Sequence, residues 1–523
     1  MQIKDQLKQI VGMKLEHPEN EDWGDYAVFA GAKAGELIEK IKQSEVNERI
    51  EKMEVVQGFL NIRLKNQTYI TLMQGVTVEF KRQKRRILVE YSSPNIAKSF
   101  GIGHLRSTII GQALYNIYKF LGNEVVGDNH LGDWGTQFGK LLYMLDREKQ
   151  SPQEKSMTVS DLEKLYIQYH KLSEDNKSLD NEAREWFKKL EEGDSVARKL
   201  WENCVQISLR EFERIYKLLD INIDNSFGES YYESKMVAVI NEAKKKGIAK
   251  ESQGAWVIET GHGSPLMLLK SDGATTYATR DLATLKFRRE KWDPDMIIYE
   301  VGVEQALHFQ QVFEAAKMLG YVREGCTLIH TKHGLYLGPD GKKFRTRTGD
   351  TVNLEEVLQE AVSRAKKLGS ENDEAARAVG IGAIKYFDLS HNVQSDIIFD
   401  WEKVMALDGN SGPYIQYTFA RTCSVLAKAQ SAKRKAQSYE LNAEELAVLR
   451  WLYRWPEVVE EAGERLAPNL ICNFIYELAQ RFNSFYAKHT IMDNEFRLAL
   501  TQAVGQVLKM GLEMLGIEAL ERM

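Results

Sequence analysis

"RILVEYSSPNIAKSFGIGHLRSTIIG", residues 86–111, decides how the rest of the chain is read. Arg85–Tyr91 is a short apolar run of the kind a buried strand shows. Leu105, Ile109, Ala113, Ile117 and Leu121 then fall on one helical face, and Gly122 is placed to stop that helix. Gly101 and Gly103 therefore sit in a strand-to-helix turn. Bare backbone there lets a ligand approach closely, and helix N–H groups favour an anion.

Working outward, further apolar runs alternate with helical patterns: "EVVGDNH" (124–130), "MIIYEV" (296–301) and "TLIHTKHGLYL" (327–337). That alternation predicts a Rossmann-like parallel sheet with crossover helices over residues 85–395. Residues from about 150 to 225 are strongly charged and helix-patterned, and read as a mostly helical insertion. Ahead of the sheet, residues 1–84 mix helix and strand patterns, predicting a small α+β module. The basic run at 80–86 reads as a solvated linker or strand entry. Beyond it, residues 396–523 show only amphipathic helix patterns, as in "ELAVLRWLYRW" (445–455), and predict an all-α bundle.

At 523 residues the chain exceeds one ordinary core, so a multidomain α/β protein is expected. The net charge of −5 argues against a uniformly basic nucleic-acid binder but leaves room for local phosphate-binding stripes. No apolar run approaches the roughly 18 residues of a membrane span, and the N-terminal stretch lacks a signal peptide's apolar region. The four cysteines show no Cys-x-x-Cys spacing, which suits a reducing cytoplasm. Cys326, His330 and His333 lack a fourth ligand, so no structural zinc is expected.

A Gly-x-Gly-His run alone is weak evidence, since His104 could simply bond a nearby carbonyl at a helix start. The alternative has it donating to a phosphate oxygen, helped by the helix terminus and by Lys98. The turn matches neither Gly-x-Gly-x-x-Gly nor the P-loop pattern, which disfavours dehydrogenases and P-loop enzymes.

Six segments in order, residues 92–111, 127–142 ("GDNHLGDWGTQFGKLL"), 275–284 ("TTYATRDLAT"), 301–313 ("VGVEQALHFQQVF"), 341–354 ("GKKFRTRTGDTVNL") and 411–426 ("SGPYIQYTFARTCSVL"), resemble the arginyl-tRNA synthetases, class I enzymes. The resemblance continues to the closing "LGIEALERM". It implies ATP-dependent activation of L-arginine to arginyl-adenylate, with ATP carrying Mg2+, then transfer to the 3′-terminal ribose of tRNA(Arg). It also implies that activation needs bound tRNA, and that the protein is a cytoplasmic monomer with no membrane partner.

The family's His-x-Gly-His signature maps onto residues 101–104, with His104 and Gly103 retained and the first histidine replaced by Gly101. Losing one such charge-stabilising donor costs about a hundred- to a thousandfold in rate. Another donor therefore covers the role, or the chain is a weakened or inactive paralogue that still binds tRNA or arginine. The Lys-Met-Ser-Lys signature is absent; the resemblance hands its work to Lys98 and to Lys342, Lys343, Arg345 and Arg347. Asp281 and Glu124 are implied as the guanidinium clamp beside Tyr277, which shares a helical face with Asp281. Ser93, Asn95 and Asn129 are implied holders of the amino and carboxylate groups, Gln305 a further arginine contact, and His308, Phe309 and Gln310 neighbours of adenine.

For tRNA, the family match puts the elbow on the first module and the anticodon on the bundle. Tyr414, Gln416, Tyr417 and Arg421, with Arg481, Asn483 and Tyr486, are the implied contacts. Aromatics among arginines suit unstacked bases, although packing within the bundle is the better reading of Tyr414 and Phe419. A small-molecule adenylyltransferase on the same sheet is the third reading, and the helical C-terminal third argues against it.

Overall fold

The computed structural model describes residues 3–75, 84–148, 157–176, 178–338, 340–342, 353–370, 372–429 and 440–523. Five parallel strands form its central sheet, in the spatial order Thr327–His330, Met296–Tyr299, Arg86–Glu90, Glu124–Asn129, Asn225–Ser226. The first of these strands in the chain, Arg86–Glu90, lies in the middle. The chain winds outward on one side, then returns to the other with Met296–Tyr299. Strand order reverses between Arg86–Glu90 and Met296–Tyr299, and ligands of such sheets bind in the crevice beyond the carboxyl ends at that point.

The run Ile87–Glu90 is buried throughout, as a strand covered on both faces requires. The helix Ile102–Phe120 follows and ends at Gly122, whose φ is +83°. Gly111 makes the crossover possible: a Cβ there would stand 2.1 Å from the Cβ of Tyr91.

The described residues of 130–224 carry four helices, Thr136–Arg147, Val159–Asp175, Leu179–Glu192 and Ser195–Leu218. Trp134 packs edge-on against Phe187 and Trp201, each at 5.7 Å, and locks the insertion onto the sheet domain. A second, antiparallel sheet, Ala249–Ser252, Ala255–Ile258 and Leu266–Leu269, was not expected from the sequence. Its strands are four residues long, too short to declare a period of two.

The N-terminal module is a three-stranded antiparallel sheet, order Tyr26–Phe29, Phe59–Leu64, Ile50–Val56, with helices Ile3–Val11, Ala34–Lys42 and Asn66–Gln74. It docks on the C-terminal helices through buried polar groups. Tyr26 donates to Glu457 at 2.7 Å, and the Arg450 guanidinium reaches Asp25 at 3.4 Å. The closing helices are Leu354–Lys367, Asp373–Leu389, Gly412–Ala429, Ala443–Leu452, Trp455–Glu464, Asn469–Lys488 and Glu495–Met514. Among the described residues no helix is long and apolar enough to cross a membrane.

Candidate active site

The crevice begins where Arg86–Glu90 ends. Ser92, Ser93 and Ala97 have positive φ (+73°, +47° and +61°), unusual for residues with a Cβ. Such backbone persists only when neighbours over-determine it, and here they do. The Asn129 side chain accepts the Ser93 N–H at 3.0 Å, and Tyr216 lies 2.8 Å from Ser92 Oγ. Ser208 accepts the Ala97 N–H at 2.9 Å. Tyr216 and Ser208 belong to the insertion helix, a positioning role that sequence reading did not find.

Ser93 Oγ is buried and makes no hydrogen bond among the described residues. Asn95 pairs with Gly132 beside it; a Cβ on Gly132 would meet Asn95 Oδ1 at 2.1 Å, so only glycine leaves the amide its place.

Gly101 is the N-cap of the Ile102–Phe120 helix, and the Gly101 N–H donates to His104 Nδ1 at 3.1 Å. An Nδ1 that accepts leaves the neutral ring's proton on Nε2. His104 thus carries a donor fixed by the backbone of the residue that replaces the missing histidine. Gly103 is exposed, with nothing within 4 Å of where a Cβ would lie, so a flat ring has room against it. Lys98 is exposed on the approach to the same turn.

Across the crevice stands the helix Tyr277–Trp292. Asp281 lies one turn in, and its Oδ2 is 2.5 Å from His308 Nε2. Tyr277, at the first turn, is 64% exposed, with the Arg280 guanidinium 5.4 Å from its ring centre. Arg280 pairs with Glu233 at 2.9 Å and Glu229 at 3.4 Å. Glu229 is mostly buried. Burial pushes its pKa up to about 7 against the pull of Arg280, and the charge of Asp281 adds to the rise. Two carboxylates and one guanidinium leave excess negative charge beside Tyr277. Beneath them the buried Arg288 bridges Glu90 (2.5 Å) and Asp128 (2.7 Å), again two acids to one base.

Glu124 does not join this group. It is the first residue of its strand, paired with Arg86 at the amino end of the sheet, and it is exposed. Asn129, five residues on, occupies the carboxyl end. Successive residues of a strand advance by about 3.3 Å, so Glu124 lies far from the crevice, whereas the carboxylate of Glu229 lies near Asp281. Glu229 is held by the insertion: Asp133 accepts the N–H of Ser230 at 2.8 Å and its hydroxyl at 2.6 Å. No motif in the sequence marks it; only the fold brings it to Asp281.

The 301–313 segment divides. Gln305 caps the helix Ala306–Leu319 and is exposed, as is Gln310, while His308 faces Asp281 rather than an open adenine site. Phe309, expected beside adenine, is 7% exposed, with its ring 4.9 Å from Tyr299 and 4.7 Å from His330. It is a core residue. Lys342 is exposed in a turn where the Asp340 side chain accepts its N–H at 3.1 Å. Lys343, Arg345 and Arg347 lie outside the described residues.

On the helical bundle, Arg421 lies 4.9 Å from the ring of Tyr417 and 5.0 Å from that of Tyr486. Those rings are 48% and 41% exposed. Asn483 holds the arrangement, accepting from Arg421 and donating to Tyr414 at 2.9 Å and Thr418 at 3.0 Å. Two other expected contacts face inward. Gln416 is fully buried, donating to the carbonyls of Ala378 (3.3 Å) and Glu518 (2.9 Å). Arg481 reaches Glu21 at 2.7 Å and stacks on Trp451, fastening the N-terminal module to the bundle.

Comparison with known proteins agrees with this layout. Residues 68–401 match the family described as tRNA synthetases class I (R), catalytic domain, and residues 415–523 match the DALR anticodon binding domain. A Clostridioides difficile protein named arginine–tRNA ligase is 38% identical, over 100% of this chain and 97% of its own length. One from Fusobacterium nucleatum, named alike, is 37% identical over 99% and 96%. Among solved structures, the Thermus thermophilus arginyl-tRNA synthetase superposes with a TM-score of 0.85 at 23% identity, covering 100% of this chain and 99% of that one. The Plasmodium falciparum arginyl-tRNA synthetase gives 0.82 at 23%, covering 100% and 98%. These two share the fold. With relatives matched from end to end and both family domains in order, the chain belongs to the class I arginyl-tRNA synthetases.

Proposed function

We propose that this protein is an arginine–tRNA ligase whose substrate side chain is gripped by Asp281 and Glu229, not by Asp281 and Glu124. The observation that carries the reading is the excess negative charge beside Tyr277, where Asp281 raises an already half-neutralised Glu229. A planar guanidinium suits two carboxylates, because its fork donates bidentately. Ser93 Oγ and the Asn95 amide take the substrate's amino and carboxylate groups, and Asn129 positions Ser93.

The first step joins a carboxylate oxygen of arginine to the α-phosphorus of ATP, which enters as its Mg2+ complex, and pyrophosphate leaves. His104 Nε2–H donates to the α-phosphate as its charge grows. The Gly101 N–H is committed to His104, so it cannot replace the missing histidine. The open N–H groups of the helix's first turn are the donors that remain at that end. Lys98, Lys342 and the basic residues of the segment 343–347, which lies outside the described residues, meet the pyrophosphate. In the second step a ribose hydroxyl of the tRNA terminus attacks the arginyl carbonyl, its proton departs, and AMP leaves.

Residues 1–84 take the tRNA elbow, 85–395 the chemistry and 396–523 the anticodon, where Tyr417, Arg421 and Tyr486 offer stacking faces. The protein works as a cytoplasmic monomer. Arginine-dependent ATP–pyrophosphate exchange with and without tRNA(Arg) tests the mechanism: exchange is expected only with tRNA. Equal exchange without it removes the coupling, and no charging of tRNA under any condition favours the inactive paralogue.

A further inference from the structure

The carboxylate read as the guanidinium's partner is already hydrogen-bonded to an imidazole. His308 Nε2 is 2.5 Å from Asp281 Oδ2, and both side chains are about three-quarters buried. Burial alone would lower the imidazole's pKa, yet the bond to Asp281 and its charge outweigh burial and raise it. His308 sits in the first turn of Ala306–Leu319, where the helix dipole disfavours a positive charge. Its proton is therefore held by Asp281 almost alone.

Among the described residues, the other elements around it supply no rival anion in contact. Glu304 precedes the helix, its carboxylate folded over Gly302. From the Thr327–His330 strand comes His330, which burial keeps neutral. The loop before Leu266–Leu269 contributes the His262 carbonyl, taken by Gln311 at 2.8 Å. Glu229, Glu90, His130 and Arg280 lie within electrostatic reach of Asp281.

Resting on the arginine–tRNA ligase reading, we propose that His308 is a resident counter-ion: its imidazolium occupies the cation seat at Asp281 until the substrate guanidinium takes it. As a neutral Nε2–H donor, the same ring then holds Oδ2 and orients the carboxylate. His308 is a positioning residue, and arginine and the His308 proton are antagonists. By reciprocity, arginine binding must expel that proton as strongly as the proton weakens arginine.

The test is the arginine KM in tRNA-supported pyrophosphate exchange from pH 6 to pH 8.5, for the native protein, H308Q and H308A, with proton release on arginine binding measured calorimetrically in buffers of different ionisation enthalpy. Glu229 also titrates in this range, so the native log KM is expected to rise with a slope approaching two protons as pH falls. H308Q keeps a neutral donor and cannot charge. Its slope should drop toward one proton, with KM at pH 6 below native by about fivefold or more, less proton release, and kcat near native. H308A should raise KM at every pH by losing the orienting bond. An H308Q slope and proton count equal to native overturn the inference while leaving the ligase reading intact. Absence of arginine-dependent exchange in the native protein removes the ligase reading itself, and this inference with it.

Discussion

The Gly101 N–H donates to His104 Nδ1 at 3.1 Å, tying the lone signature histidine to the backbone of the residue that took the other's place. That bond selects the tautomer that carries its proton on Nε2. Its loss should be felt in the chemical step rather than in binding. H104A is expected to lower kcat for pyrophosphate exchange by about a hundred- to a thousandfold, with arginine KM changed by less than about threefold. Steady-state exchange kinetics check this, and a purely KM-borne loss would assign His104 to binding.

Glu229 makes the side-chain pocket pH-dependent. Its folded pKa is raised to about 7, so it is ionised above that value and protonated below it. A guanidinium favours the ionised form, so arginine affinity should rise as pH climbs through 7 and then level off. E229Q is expected to remove this contribution and to raise arginine KM at pH 8 by roughly 10- to 150-fold, the worth of a hydrogen bond to a charged group. D281N should do at least as much. E124Q, at the amino end of its strand, should leave KM and kcat untouched. An E124Q effect matching E229Q would restore the sequence-based clamp.

The bundle separates reading residues from packing residues. Tyr417 and Tyr486 flank Arg421 with half-exposed rings, so Y417A or Y486A should weaken tRNA binding by about 1–3 kcal/mol, the usual worth of stacking one base. The kcat at saturating tRNA should stay near native. Q416L instead removes the amide that bonds the buried Ala378 carbonyl and the partly buried Glu518 carbonyl, and should lower thermal stability without altering which tRNA is bound. Filter-binding titrations and melting curves separate the two outcomes.

Much of this was legible because the period of an element and its turn chemistry are local. The strand Arg86–Glu90, the turn at 91–101 and the helix after it were readable from spacing alone, and Gly122 marked its end. Tyr277 and Asp281 were placed on one helical face by the same logic. What spacing cannot say is which end of a parallel strand faces the ligand. The rule that such sheets bind ligands at their carboxyl ends does, and by it Glu124, which opens its strand, lies at the wrong end, whereas Asn129 lies at the crevice end. Nor does a residue in a motif declare its direction: Phe309 and Gln416 follow the pattern of ligand residues and are buried by neighbours distant in sequence. Glu229 had no local signal, because its partners, Asp281, Arg280 and the Asp133 that fixes its loop, come from two other elements.

The tightest crossing in the sheet domain gives a prediction about stability rather than chemistry. Gly111 lies in the middle of Ile102–Phe120 directly over Tyr91, and a methyl group there would stand 2.1 Å from Tyr91 Cβ and 2.4 Å from Cγ. Neither atom is the end of a flexible chain, so relief needs the helix to lift from the strand. In a helix interior Ala is otherwise preferred over Gly by about 1 kcal/mol, so a gain would be expected if packing were neutral. The overlap reverses the sign: G111A should lose about 1–3 kcal/mol or more, seen as a lower urea midpoint for the sheet domain. It should also disturb the reaction, because Tyr91 leads directly into the strained Ser92–Ser93 turn that Tyr216 and Asn129 hold. Arginine KM should therefore rise in G111A even at temperatures where the variant is fully folded. A stabilised G111A would show that the helix and strand have slack at this crossing, and would remove the link from their packing to the substrate turn.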